Sequence, residues 1–148
     1  MNNNELSLKP ISALLSENFF IPGYQRGYRW TRRQVEDLLH DIREFQRDSE
    51  LKGTEVFYCL QPVVVRETSN KNEWELIDGQ QRLTTIYLIL LYLKDILLLL
   101  GKTPYHLRYE TREDSGVFLK AIDFTRKDDN IDYFHICDAY DAIRVWFE

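Results

Sequence analysis

Trp74-Glu75-Leu76-Ile77-Asp78-Gly79-Gln80-Gln81-Arg82-Leu83-Thr84-Thr85 is the stretch on which the fold turns. Trp74 to Ile77 alternates as a β-strand does, and Asp78-Gly79 leads directly into a long apolar run ending at Leu100. Ser69-Asn70-Lys71-Asn72 precedes it as a turn, so the strand closes a hairpin with the β-rich segment Val56 to Arg66. Pro62 lies inside that segment and predicts a bulge or a strand edge, because proline cannot donate to a ladder. The run from Leu83 to Leu100 approaches membrane length, but Lys94 and Asp95 interrupt it, and Arg82 and Lys102 flank it. Carrying that charge pair through hydrocarbon costs roughly 2.5–3.5 kcal/mol per residue, so the run reads as a buried core helix capped by Gly101.

Towards the N-terminus, residues 5–17 read as a short helix, and Phe19-Phe20-Ile21 as a strand closed by the turn dipeptide Pro22-Gly23. An aromatic and arginine-rich loop follows over residues 24–30. Thr31-Arg32-Arg33-Gln34 then has the form of a capping box. The helix it opens runs to about Arg47, with Val35, Leu38, Leu39, Ile42 and Phe45 on one face and charge on the other. Towards the C-terminus, Leu107 to Glu110 reads as a strand, and residues 113–122 and 132–148 as helices. The expected fold is α+β: a small mixed sheet whose hairpin leads into a long buried helix, plus C-terminal helices. Residues 1–100 form the expected core domain, and 101–148 the start of a helical extension. Trp146-Phe147-Glu148 ends in mid-helix, which predicts that the natural protein continues.

The composition, 44% hydrophobic and 29% charged, matches a folded soluble chain and excludes general disorder. A net charge of −5 argues against non-specific coating of nucleic acid, which requires neutralised phosphates. Cys59 and Cys137 form no CxxC pair, so neither a zinc site nor a disulfide framework is indicated. The polar start Met-Asn-Asn-Asn-Glu lacks the features of a signal peptide, and the expected location is cytoplasmic, without membrane contact.

Two segments carry candidate chemistry. At Asp78 to Arg82 a helix start offers unpaired N–H groups and partial positive charge to an anion. Gly79 permits close backbone approach, and Arg82 offers a planar fork to phosphate. Asp78 suits Mg2+, which takes carboxylate and phosphate oxygen, and Thr84 and Thr85 follow as hydroxyl donors. The same residues also fit a plain helix start, with Asp78 as N-cap and Arg82 as a surface side chain. The second segment is Phe20-Ile21-Pro22-Gly23-Tyr24-Gln25-Arg26-Gly27-Tyr28-Arg29-Trp30. Arg26 and Arg29 suit phosphate, and Tyr24, Tyr28 or Trp30 a stacked base. An ordinary loop, with its aromatics in the core and its arginines paired to Asp37 or Asp41, fits equally. His40, His106 and His135 are scattered and read as structural, Cys59 and Cys137 as core. Tyr133, Phe134, Tyr140 and Trp146 read as the packing face of the last helix, and Asp128-Asp129 as a solvated loop. No GxxxxGK[ST] or GxGxxG loop is present.

Taken together, Ile21-Pro22-x-Tyr24-Gln25-Arg26-x-Tyr28-x-Trp30, then Gln34-Val35-x-x-Leu38-Leu39-x-Asp41-Ile42, then Asp78-Gly79-Gln80-Gln81-Arg82-Leu83-Thr84-Thr85 resemble domain-of-unknown-function family 262. This is the N-terminal, GmrS-like part of GmrSD-type restriction proteins, similar in fold to ParB and sulfiredoxin. The resemblance covers residues 5–100 well and 101–148 loosely. It implies a nucleotide-binding, NTP-hydrolysing domain of a modification-dependent (type IV) restriction or anti-phage protein, with a nuclease domain further along the chain. Asp78, Gln80, Gln81 and Arg82 match the nucleotide motif and carry its catalytic role, with Asp78 placing the metal. Tyr24, Gln25 and Arg26 match the first motif, expected beside the same pocket with Gly79, Thr84 and Thr85. Gln61-Pro62 departs from the Gly-Ser or Gly-Gly pair common in relatives. The residues leave two further readings open: a DNA-sensing module gripping modified DNA through Arg29, Arg32 and Arg33, or a degenerate interaction domain.

Overall fold

A computed structural model describes residues 9–52, 63–69, 72–110 and 113–148. Its centre is a four-stranded mixed sheet in the order β2-β3-β1-β4. Strand β1 is Asn18–Ile21, β2 Val64–Glu67, β3 Trp74–Asp78 and β4 His106–Tyr109. The hairpin is present: β2 runs antiparallel to β3, with a register shift between Val64 and Val65. Pro62, on which a bulge was expected, lies outside the described residues, as do Gln61 and Cys59. Strand β1 is parallel to both β3 and β4, pairing Phe19 with Trp74 on one side and with Leu107 on the other.

The helices are α1 (Arg32–Lys52), α2 (Gln80–Tyr92), α3 (Lys94–Leu99), α4 (Glu113–Lys120) and α5 (Ile131–Phe147), with short 3-10 turns at Ile11–Leu14 and Phe124–Arg126. The predicted capping box opens α1: Thr31 N–H donates to Gln34 Oε1 at 2.8 Å, and Gln34 N–H to Thr31 Oγ1 at 3.4 Å. Helix α1 runs five residues past the expected end at Arg47, to Lys52. The helix expected over residues 5–17 is, in its described part, only the 3-10 turn.

One expectation is corrected. The single buried helix from Leu83 to Leu100 is in fact α2 and α3, broken at Leu93, and only α2 is core. Leu83 and Leu88 are fully enclosed, whereas Ile96, Leu98, Leu99 and Leu100 are 57–87% exposed. Helix α2 packs against α5, while the main neighbour of α3 is α2 itself, so the apolar run outlasts the layer that covers it. Gly101 does end the run as expected, at φ +71°, with Lys102 N–H donating to Leu97 O and Gly101 N–H to Leu98 O, a Schellman closure.

Residues on both sides of residue 100 contribute to one core. Strand β4 pairs with β1, and α5 packs on α1 and α2, so the later segment completes the same core. Asn130 caps α5 through Tyr133 N–H at 2.9 Å. On α5, Tyr133 is buried and stacks on Phe118 at 4.0 Å, and Tyr140 and Trp146 pack at the core edge. Phe134 departs from the expected packing face and is 41% exposed. No helix among the described residues is long and apolar enough to cross a membrane.

Candidate anion-binding site

Strand β3 delivers the chain to Gly79, which adopts φ +97° and ψ 15°. That left-handed geometry favours glycine, and a Cβ there would lie 3.1 Å from Val63 Cγ2 and 3.3 Å from Val63 Cα. Helix α2 therefore starts abruptly at the strand end. No side chain caps it, and Leu83 N–H to Gly79 O, at 3.0 Å, opens its ladder. The N–H groups of Gln80, Gln81 and Arg82 accordingly have no intrahelical acceptor. Asp78 does not act as an N-cap to these groups; its Oδ1 accepts from Gly79 N–H at 2.9 Å and its side chain is exposed.

The two glutamines connect the two sequence motifs. Gln80 Nε2 donates to Arg26 O. Gln81 Nε2 donates to Gly27 O at 3.1 Å, and its Oε1 accepts from Arg29 N–H at 2.8 Å. From the other side, Gln25 Nε2 donates to Leu76 O and Ile77 O at 2.9 and 3.0 Å. Residues 24–30 are thus held against the end of β3 and the start of α2 by three amide side chains. Both ends of the Gln81 amide are engaged with loop backbone, through one N–H of Nε2 and one bond accepted by Oε1.

Thr84 and Thr85 are also corrected as ligand donors. They are 1% and 0% exposed; Thr84 Oγ1 bonds Tyr109 OH at 3.1 Å, and Thr85 Oγ1 bonds Tyr28 OH at 2.8 Å and Gln81 O at 2.8 Å. Tyr28 is equally internal, and burial pushes its phenol well above the ordinary range. Trp30 lies half-buried under the Arg82 guanidinium, 5.5 Å from ring centroid to Cζ. Tyr24, 71% exposed, is the aromatic of this loop open to a ligand.

The arginines divide clearly. Arg29 Nη1 meets Asp132 Oδ1 at 2.5 Å, and Arg32 pairs with Asp141 at 2.8 Å, Asp138 at 3.3 Å and Glu36 at 3.6 Å. The hydrogen bond that Arg32 donates to Asp141 raises the Arg32 pKa, and those that Asp141 accepts from Arg144 and then Arg32 lower its own. Both arginines tie elements together. Arg26 and Arg82 form no ion pair with any described residue, and neither does exposed Arg33. Among the described residues, Arg26 and Arg82 are thus cations near the α2 start without a carboxylate partner, Arg82 lying over Trp30, and Asp78 adds one exposed carboxylate.

Asp132, buried at the start of α5, was not legible as part of this site. An acid in the first turn of a helix reads as a complement to its dipole, and nothing local ties it to Arg29, 103 residues earlier. Among the described residues the only cluster of three metal-type ligands is His40, Asp41 and Glu44, exposed on α1. His106 is exposed, and His135 keeps a buried Nδ1 without a partner. Cys137 is fully buried, which raises its thiol pKa.

A family model described as GmrSD restriction endonuclease, N-terminal domain, matches residues 11–143. No curated protein matches the chain.

Proposed function

Because this chain belongs to the GmrSD restriction endonuclease N-terminal domain family, we propose that it is the nucleotide-binding module of a restriction-type defence protein. One observation carries the reading: a helix start with no side-chain cap, whose first three N–H groups and two nearby arginines, Arg26 and Arg82, have no acceptor or carboxylate partner among the described residues. Open N–H groups and the helix dipole favour phosphate, and guanidinium groups bind its oxygens bidentately. Arg82 and Arg26 hold the phosphates in this reading, and Tyr24 offers its face to the base. Gly79 keeps the backbone open to the phosphate chain, while Gln25, Gln80 and Gln81 hold the loop.

Asp78 fits Mg2+ in a limited way. It is a single carboxylate, and Mg2+ bound through one carboxylate completes its shell with phosphate oxygens and water. The ion would arrive with the nucleotide, neutralise phosphate charge and assist hydrolysis. Hydrolysis itself is attack of water on the terminal phosphorus with cleavage of its bridging P–O bond. Gln80 Oε1 has no donor among the described residues and is the amide oxygen placed to orient water in this reading. The likeness to ParB and sulfiredoxin belongs to the same proposal, as does DNA cleavage by a nuclease domain elsewhere in the protein, directed by modified DNA. The ion pairs of Arg29 and Arg32 weigh against direct DNA gripping by this module, and Arg33 is the member of that trio without an ion pair among the described residues.

Isothermal titration of nucleoside triphosphates with Mg2+ tests the reading. Saturable binding by the wild-type chain that is lost in Arg82→Ala supports it. Absence of binding by all four common nucleotides overturns it. Phosphate release at background level in the presence of binding removes hydrolysis and leaves the binding module.

A further inference from the structure

We infer that Asp132 is a positioning residue for the anion site, coupling helix α5 to the loop that carries Arg26; this rests on the nucleotide-binding reading above. Residues 26–29 are clamped from two sides. On one side are Gln80 and Gln81 of α2, bonded to Arg26 O, Gly27 O and Arg29 N–H. On the other is Asp132, in the first turn of α5.

The Asp132 contact is tight and specific. Its side chain is 11% exposed, its Oδ1 accepts from Arg29 Nη1 at 2.5 Å, and its Oδ2 accepts from Ser115 Oγ at 3.3 Å. The same Arg29 Nη1 donates to Tyr28 O at 2.8 Å, so the guanidinium bridges the loop backbone to α5. Asp132 also presses on the loop directly. A Cβ on Gly27 would lie 2.3 Å from Asp132 Oδ1, so position 27 is glycine because a carboxylate fills the space.

The backbone of Arg26 therefore has its place fixed by Gln80 on one side and, through the next residue, by Asp132 on the other. A neutral amide at 132 keeps the shape but loses the charge that orders Arg29. The loop then gains freedom, and ligand binding must restore its order. Coupling of this kind is reciprocal: what α5 does for the site, a ligand at the site does for the first turn of α5. Helix α5 packs on α1 and α2, so this carboxylate joins the loop at the anion site to the packed core.

The test is calorimetric titration of ATP–Mg2+ into the whole chain as wild type, Asp132→Asn, Arg26→Ala and the double variant, below their melting temperatures. Amide hydrogen exchange of residues 131–136 in the wild type, with and without ATP–Mg2+, is measured in parallel. Expected are binding roughly tenfold weaker in Asp132→Asn, little added effect of that change on the Arg26→Ala background, and slower exchange at the start of α5 on binding. Wild-type binding with an unaffected, folded Asp132→Asn overturns the coupling and leaves the nucleotide site standing. If Asp132→Asn does not fold, unchanged α5 exchange in the ligand-bound wild type overturns it equally. A wild type that binds no nucleotide overturns the underlying reading, and the inference with it.

Discussion

Replacing Gln81 by alanine removes the central fastening between the two motifs. Two hydrogen bonds are lost, Nε2 to Gly27 O at 3.1 Å and Arg29 N–H to Oε1 at 2.8 Å, both in half-buried surroundings. Each is worth about 0.5–1.5 kcal/mol net, and water reaching the half-buried groups limits any additional penalty. The expected loss is therefore about 1–3 kcal/mol. For a domain of this size it appears as a fall in melting temperature of roughly 2–4 °C per kcal/mol. Urea denaturation followed by tryptophan fluorescence measures it, with Trp30 at the end of the same loop as a local reporter. Nucleotide affinity should fall together with stability, because the loop carries Arg26. A Gln81→Ala protein with an unchanged midpoint and unchanged affinity would refute the reasoning, since two such bonds cannot be both structural and without effect.

Gly27→Ala should destabilise by about 1–3 kcal/mol through overpacking against the Asp132 carboxylate, and Asp132→Ala should restore part of the loss; additive melting shifts in the double variant would show the clash to be absent. The depressed pKa of Asp141 means its contribution is present above its ordinary value near 3.8 and is lost as pH falls through the lower folded value. Asp141 and Arg32 are about one-third exposed, so Asp141→Asn should cost only about 1 kcal/mol at neutral pH, and progressively less as pH falls below the ordinary carboxylate range, read from denaturation midpoints. Cys137, buried and raised in pKa, should resist alkylation at mildly basic pH until denaturant is added, as peptide mass mapping would report. Leu99→Lys, at a site 87% exposed, should change stability by less than about 0.5 kcal/mol; a large loss would mean that α3 is core after all.

The strand, glycine and helix start at residues 74–85 were readable because alternation, a positive-φ glycine and an apolar run are local signals. The same holds for the Thr31–Gln34 capping box and for Gly101. The break at Leu93 was not legible, because Leu and Ile carry the same apolar signal whether the next layer covers them or not. Only tertiary packing decides that, and it ends before α3. For the same reason, nothing at residue 100 told that β4 would join β1, since parallel partners distant in sequence leave no local mark. At the candidate site, residue types marked Arg26, Gly79 and Arg82 as candidates, but not which polar groups the fold itself engages. Thr84 and Thr85 bond Tyr109 and Tyr28 across the core, and Arg29 bonds Asp132, partners that only the fold brings together.

The central claim is that an anion docks on the N–H groups at the start of α2. Amide chemical-shift mapping of the 15N-labelled chain during titration with ATP–Mg2+ tests this most directly. The account predicts that the largest saturable shifts fall on Gly79, Gln80, Gln81 and Arg82, with Arg26 following, and that they vanish in Arg82→Ala. Saturable shifts confined to other elements, with these amides unmoved, would contradict it.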